Sequence, residues 1–185
     1  MNQALLVIDA QQDLVDGTLE ENSVFNKENL LSTINRVVNM AIESDVLIVF
    51  VRDLDVAQGR GNGFQIHSSI TVPPTAHIID KQSTNAFYGT SLLELLQKQV
   101  VEHVVIMGCK TEHCIDSAVR AATTHGLDVT LVGDGHSTTD TKILSAEQVI
   151  NHHNAILHGH DNVDNFSLVR NSGDDLFTPI HNNYR

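Results

Sequence analysis

Several short runs of consecutive apolar residues recur along the chain. The runs lie at residues 4–8, 46–51, 78–79, 104–107 and 129–132. Runs that are apolar at consecutive positions, without alternation, are typical of strands buried on both faces, as in a parallel sheet. The pattern therefore predicts a parallel β-sheet at the centre of the fold.

Segments with helical spacing separate these runs. Between residues 29 and 43, apolar side chains recur every three or four positions and form one stripe. Further helices are predicted at 92–96, 115–125 and 145–158, the last of which begins with a capping box at Ser145. Alternating strands and helices predict a three-layer, doubly wound, Rossmann-like α/β fold, with helices on both faces of a mostly parallel sheet.

The chain length of 185 residues suits one domain, predicted to span 1–185. The least regular segment, 54–74, contains several glycines and two prolines, and a loop of that length is usually functional or covers a site. Residues 171–185 are polar. We expect them to form a C-terminal extension that packs on a neighbouring subunit or is loosely ordered.

The charge balance restricts the partners that this protein can bind. Lys and Arg number 11 against 23 Asp and Glu, which gives a net charge of −12. Nucleic acids and anionic membranes require a basic surface, so neither is expected as a partner. No apolar run approaches the ~20 residues that cross a bilayer, and the first residues lack the basic region of a secretory signal. A cytoplasmic protein with a small-molecule substrate is the expectation.

Cysteine and histidine spacing does not favour a metal site. Cys109 and Cys114 have neither the spacing of zinc ligands nor the number that a disulfide framework needs, and we expect reduced thiols. A group of histidines near the last predicted helix lacks accompanying carboxylates. We predict no metal and no cofactor. The histidines in question are His152, His153, His158 and His160.

Reactive side chains follow several of the predicted strands. Because ligands in open α/β sheets bind at the carboxyl ends of the strands, these side chains are expected to meet at one edge. An acid, a base and a thiol at one edge make a nucleophilic site possible. The candidates are Asp9, Arg52, Asp53, Lys81, the segment 108–114, Asp134 and His136.

Three of these candidates have alternative interpretations. Cys114 lies where a loop gives way to a helix, and a helix N-terminus stabilises a thiolate; free cysteine is also often a small buried apolar residue. Asp9 is either a general base or a turn residue. Lys81 is either a charge partner of the other two or an ordinary surface cation. Local sequence leaves each alternative open.

Three blocks of sequence resemble the isochorismatase-like cysteine hydrolases, the superfamily of isochorismatase, nicotinamidase and N-carbamoylsarcosine amidase. They occur in the expected order and at the expected separations, and together they span residues 5 to about 140. The blocks are LLVIDAQQDLVDG, DKQSTNAFYGTSLLELL and VVIMGCKTEHCIDSAVRAATTHGLDVTLVGDGHST.

The resemblance implies a role for each residue of a catalytic triad. Asp9 would be the general base, Lys81 the electrostatic partner and Cys114 the nucleophile. It also implies a cis peptide bond between Cys109 and Lys110, with the N–H groups of Lys110 and Cys114 forming an oxyanion hole. The implied fold is a sheet of about six strands, in a protein that forms homodimers or homotetramers.

The sequence departs from the family pattern at places that bear on substrate. Metal-binding nicotinamidases carry an Asp-x-His motif after the second strand, whereas this chain has RDLDVAQGRGNG, which disfavours a metal-bound pyridine. The family's Asn-Asp-Phe sequence after the first strand is Gln12-Asp13-Leu14 here, so Leu14 puts an aliphatic side chain where the family has an aromatic wall of the pocket. His113, beside the thiol, either shapes the pocket or fills space. Leu14 and His113 are therefore the candidate substrate-binding residues.

The predicted function is hydrolysis of a C–N bond in a small amide-like molecule through a thioester on Cys114. The thiol favours acyl chemistry over the vinyl-ether hydrolysis of isochorismatase proper. Two alternatives stay open: a vinyl-ether hydrolase in which Asp9 protonates the substrate, and a non-catalytic thiol sensor or small-molecule binding module.

Overall fold

A computed structural model describes residues 2–185. The strands are β1 (Asn2–Ile8), β2 (Leu47–Asp53), β3 (His77–Lys81), β4 (Val101–Cys109), β5 (Asp128–Ser137), β6 (Asp161–Asn162) and β7 (Asn165–Arg170). The helices are α1 (Gln12–Asp16), α2 (Lys27–Glu43), α3 (Gly61–Phe64), α4 (Leu92–Lys98), α5 (Asp116–Thr124) and α6 (Ala146–Leu157).

The strands form one sheet in the order β3-β2-β1-β4-β5-β7-β6. All neighbouring pairs are parallel except β6 with β7. The chain therefore builds outward from β1 in one direction through β2 and β3, then returns to the other side through β4, β5 and β7. This doubly wound order confirms the predicted fold class.

The sheet has seven strands, against the expected six or so. The additional β6 has only two residues and closes a hairpin with β7. The sequence does not predict β7, because this strand has no continuous apolar run. Only two of its six residues are buried, so most of its positions do not need to be apolar.

Each face of the sheet carries its own hydrophobic core, because alternate residues of β1 point in opposite directions. Leu5 and Val7 pack with the apolar stripe of α2. Leu6 and Ile8 belong to the opposite core, which α4, α5 and α6 cover. The three layers predicted from the sequence are therefore present, with the sheet in the middle.

The predicted helices occur close to their expected positions. The capping box at the start of α6 is present, with the Ser145 side chain accepting from the Gln148 N–H and the Gln148 side chain accepting from the Ser145 N–H. Cys114 lies in a π-type turn, Thr111–Ile115, that leads directly into α5. The thiol is thus at the beginning of a helical segment, as the sequence predicts.

Two segments are more ordered than the sequence suggests. The irregular segment 54–74 contains a turn at Val56–Gly59 and the short helix α3, and Ile66 forms a β-bridge with Gln11. Residues 171–185 pack on their own chain, with Leu176 and Phe177 buried in the core beneath α2. Near the end of this segment Arg185 forms an ion pair with the buried Asp128 at 2.6 Å.

No helix within residues 2–185 combines the length and apolar character that a membrane span requires.

Candidate active site

The site lies at the carboxyl ends of β1 and β4, the two adjacent strands between which the strand order reverses direction. At this topological switch point the loops after the two strands turn away from each other and leave a crevice. Asp9 follows β1, and Cys114 follows β4. Lys81 ends β3, and the register places it directly beside Asp53, the last residue of β2. Four consecutive neighbours in the sheet therefore contribute their carboxyl ends to one place.

The close approach of β1 and β4 depends on Gly108. A Cβ atom at this position would lie 1.9 Å from the carbonyl oxygen of Ile8, which directly precedes Asp9. The residue also has a φ of 126°, which L side chains rarely adopt. Glycine therefore allows the two strands to pair closely where the site begins.

Asp9, Lys81 and Cys114 meet in this crevice. The Nζ atom of Lys81 lies 2.9 Å from Oδ2 of Asp9 and 3.3 Å from Sγ of Cys114. A carboxylate oxygen of Asp9 and the sulfur of Cys114 lie within 4.8 Å of each other. All three side chains are almost completely buried. The ammonium of Lys81 thus contacts both the carboxylate and the thiol.

Asp53, one of the candidates expected at this sheet edge, also belongs to the cluster, although the sequence interpretation gave it no catalytic role. Its Oδ2 atom forms a second ion pair with Nζ of Lys81. The buried side chain of Gln11 holds Asp53 in place, since its Oε1 accepts from the Asp53 N–H at 2.7 Å and its Nε2 donates to the Asp53 carbonyl. The signal was present in the sequence, because Asp53 ends a strand at the same sheet edge as Asp9.

Burial and charge set the protonation of the cluster. Burial raises the pKa of Asp9 to about 6, although the nearby Lys81 ammonium opposes the shift. Burial, together with the negative charge of Asp9, raises the pKa of the Cys114 thiol to about 12. For Lys81, burial alone would lower the pKa, but Asp9 and Cys114 outweigh it and the pKa is raised. At neutral pH Asp9 is therefore mainly a carboxylate, Lys81 an ammonium and Cys114 a neutral thiol.

The cluster forms the floor of a cavity of about 410 Å³. Leu14, His113 and Lys110 line this cavity, as do Asp9 and Cys114. Residues 55–57 of the irregular segment also contribute to its wall. The candidate substrate-binding residues are therefore at the cavity, although His113 keeps 64% of its side chain exposed.

Cys109 and Lys110 join β4 to the turn that carries Cys114. The peptide bond between them is cis, at the position that the family resemblance implies. The carbonyl of Lys110 accepts from the N–H groups of His113 and Ile115, both at 3.2 Å, and so anchors the turn. The Cys109 side chain is fully buried in the core on the α2 side of the sheet, away from the cavity lining.

The sequence of this chain matches a known protein family. The family model of the isochorismatase domain matches residues 3–154. The chain belongs to the isochorismatase family. An uncharacterized isochorismatase family protein of Bacillus subtilis, YddQ, is 30% identical over 164 residues, which cover 80% of this chain and 87% of that protein.

Two further relatives bear on fold and chemistry. A crystal structure of an isochorismatase family protein matches this one with a TM-score of 0.82 at 29% identity, over 91% of this chain and 98% of that chain. The maleamate amidohydrolase of Pseudomonas putida is 34% identical over 96 residues, which cover 48% of this chain and 45% of that enzyme. This chain is therefore a hydrolase of the isochorismatase family, and the family includes amidohydrolases.

The same cluster in this isochorismatase-family chain has a spacing that could hold a metal ion. Ligand atoms of Asp9, Asp53 and Cys114 all lie within 4.8 Å of one another. Lys81, however, contacts one atom of each and already supplies positive charge at that point. An ammonium among three potential ligands competes with a cation, so the expectation of a metal-free site stays our prediction.

A hydrogen-bonded chain of three side chains, the half-buried Asn154 and the buried His136 and Thr111, supports the Cys114 turn from behind. Asn154 on α6 donates through Nδ2 to the Gly133 carbonyl, so its Oδ1 is free to accept from Nε2 of His136 at 2.9 Å. Nδ1 of His136 then accepts from the hydroxyl of Thr111, also at 2.9 Å. Burial lowers the pKa of His136 to about 4, which keeps the imidazole neutral.

Replacing Asn154 by alanine is expected to lower the free energy of unfolding by about 1–3 kcal/mol, because the buried N–H of His136 then lacks an acceptor. Urea denaturation measures this change. Asn151→Ala is the matched control, since Asn151 is exposed on the same helix and gains the same helix propensity. Equal stabilities of the two variants would show that the hydrogen-bonded chain contributes nothing.

Proposed function

We propose that this protein hydrolyses the C–N bond of a small amide through a thioester on Cys114. The observation that carries the proposal is the contact among three groups: the Cys114 sulfur, the Lys81 ammonium at 3.3 Å from it, and the Asp9 carboxylate at 2.9 Å from that ammonium. A thiol beside a carboxylate and facing a cavity is the arrangement of an activated nucleophile.

In the acylation step, Cys114 attacks the carbonyl carbon of the amide while Asp9 takes the thiol proton. The thiol must lose its proton as it attacks, because its pKa of about 12 keeps it neutral beforehand. The C–N bond of the tetrahedral intermediate then breaks, and Asp9 returns the proton to the leaving nitrogen. The products of this step are a free amine or ammonia and an acyl group bound to sulfur.

In the deacylation step, water attacks the thioester carbon while Asp9 accepts a proton from the water. The C–S bond breaks, the acid product leaves, and the proton returns to the Cys114 sulfur. One molecule of water is consumed and the enzyme is restored.

Lys81 stabilises negative charge in both steps. Its ammonium faces the carboxylates of Asp9 and Asp53 and the sulfur, so it stabilises both the base and the developing thiolate. The oxyanion of each tetrahedral intermediate would be bound by the backbone N–H groups of Lys110 and Cys114, whose residues both line the cavity. These donors at the start of a helical segment suit an anion.

Ammonia release from a panel of primary amides, ureas and ureido compounds tests the proposal. We expect sustained release of ammonia from at least one primary amide, in proportion to enzyme concentration. Vinyl ethers in the same panel distinguish the alternative chemistry. Turnover of an ether with no amide hydrolysed would contradict the amidase proposal, and a reactive thiol without any turnover would favour a sensor or binding module.

The pH dependence of kcat/KM tests the role of Asp9. Because the base must be ionised and its pKa is raised to about 6, kcat/KM should fall below that pH and reach a plateau above it. The acid limb should have a slope of one, as for a single proton. A profile measured across this range that stays flat would contradict the assignment of Asp9 as the base.

A further inference from the structure

The cavity above Cys114 is strongly acidic. Six carboxylates line it, from Asp9, Asp13, Glu20, Glu21, Asp53 and Asp55. Lys110 is the one lysine or arginine of residues 2–185 among its lining side chains. The residues come from separate segments, the loop and helix after β1 and the turn after β2, so the fold itself collects this charge.

Ion pairs neutralise only some of these carboxylates. Lys81, beneath the cavity, pairs with Asp9 and Asp53. Glu21 pairs with Lys110 at 3.4 Å, which offsets the positive charge of the lining lysine. Within residues 2–185 the remaining lining carboxylates form no ion pair, and these are Asp13, Glu20 and Asp55.

A second observation points to a ligand in this cavity. Oδ1 of Asp9 is completely buried and has no hydrogen-bond donor among residues 2–185. A buried carboxylate oxygen without a donor is costly unless a bound group completes it. Asp9 lines the cavity beside the Cys114 thiol, where a substrate must lie. The unpaired carboxylates of Asp13, Glu20 and Asp55 line the same cavity.

We propose that the substrates are amides that carry a positive charge, such as an ammonium or guanidinium group, on the part of the molecule remote from the scissile bond. This inference rests on the proposed function. Asp13, Glu20 and Asp55 attract a cation and repel a carboxylate, and the field is stronger in a partly enclosed cavity than in open water. Lys110 is the one lysine or arginine among the lining side chains of residues 2–185, and its pairing with Glu21 leaves this part of the chain without an unpaired ammonium to bind an anionic substrate group.

Three probes of similar size but different charge test the proposal. γ-Aminobutyramide carries an ammonium, valeramide replaces that ammonium by a methyl group, and succinamate carries a carboxylate. We expect kcat/KM to fall in that order, with at least about tenfold between the cation and the neutral amide at low ionic strength. Added salt should reduce the preference, because it screens exposed charges.

Charge-removing variants locate the preference in the cavity. Glu20→Gln and Asp55→Asn should each lower the ratio of kcat/KM for γ-aminobutyramide to that for valeramide by about three- to fivefold, mainly through KM. Glu102→Gln is the matched control, because Glu102 is exposed near the amino end of β4, at the opposite edge of the sheet. This variant should leave the ratio at its wild-type value.

The outcomes separate this inference from the proposed function. Hydrolysis of valeramide as fast as γ-aminobutyramide, with no effect of salt, would overturn the charge preference and leave the amidase function standing. A preference for succinamate would overturn it as well. Failure to release ammonia from any amide of any charge would instead overturn the proposed function. An equal change of ratio in Glu102→Gln would show that the preference comes from overall charge and not from the cavity.

Discussion

Replacing Cys114 by alanine is expected to lower kcat for amide hydrolysis by at least about a thousandfold, because the variant lacks the sulfur that accepts the acyl group. Cys114 contributes the sulfur that contacts Lys81 and lines the cavity. Steady-state ammonia release measures the effect. Cys114→Ser, which keeps the size of the side chain but is a weaker nucleophile at this position, should retain little of the activity.

Two observations keep this result interpretable. Circular dichroism and urea denaturation should show that Cys114→Ala stays folded, since one small side chain is shortened at the edge of the core. Activity of Cys114→Ala near that of the wild type would remove the thiol from the mechanism. If that residual activity acted on a vinyl ether, the mechanism in which Asp9 protonates the substrate would replace the thioester.

Replacing Lys81 by methionine is expected to destabilise the protein by about 3–5 kcal/mol at neutral pH and to abolish turnover. Methionine has a similar length, so packing is largely kept while the charge is lost. The carboxylates of Asp9 and Asp53 would then face each other without a counter-ion in a buried place. Urea denaturation at several pH values measures the loss of stability.

The pH dependence of this loss has a defined sign. The native pKa of Asp9 is already raised to about 6 by burial, and removal of Lys81 raises it further. A raised carboxyl pKa destabilises the folded state above that pKa, and protonation relieves the penalty as the pH falls. The difference in unfolding free energy between wild type and Lys81→Met should therefore shrink towards acid pH.

Lys98→Met provides a matched control for Lys81→Met. Lys98 ends α4 and is exposed, so this substitution should change stability by less than about 0.5 kcal/mol. Equal effects of the two substitutions, or a loss in Lys81→Met that is independent of pH, would contradict the electrostatic role given to Lys81.

The sequence predicts that three side chains meet in the cavity, because their meeting depends on one topological rule. Asp9, Lys81 and Cys114 are far apart along the chain, but each follows an apolar run, and parallel strands bring their carboxyl ends to one edge. Asp53 obeys the same rule. Its position at this edge was predicted, but its ion pair with Lys81 was not, because that contact depends on the register between β2 and β3, which apolar runs do not specify.

Features that depend on tertiary packing were harder to predict. The strand β7 lacks a continuous apolar run, and Leu176 and Phe177 are isolated apolar residues in a polar segment that nevertheless reach the core. The acidity of the cavity was also missed. It comes from the folding of Glu20 and Asp55 over the same opening, and these residues belong to loops without a periodic pattern. The homodimer or homotetramer and the cytoplasmic location stay predictions.

Mass spectrometry of the enzyme during turnover tests the thioester most directly. An activated ester with the acyl group of a good amide substrate acylates quickly, so that the acyl-enzyme accumulates before an acid quench. We expect the peptide that contains Cys114 to gain the mass of that acyl group, and the gain to disappear once the ester is consumed. Acyl mass on any other residue, or an unmodified Cys114 in every sample quenched while the ester is being hydrolysed, would contradict the mechanism.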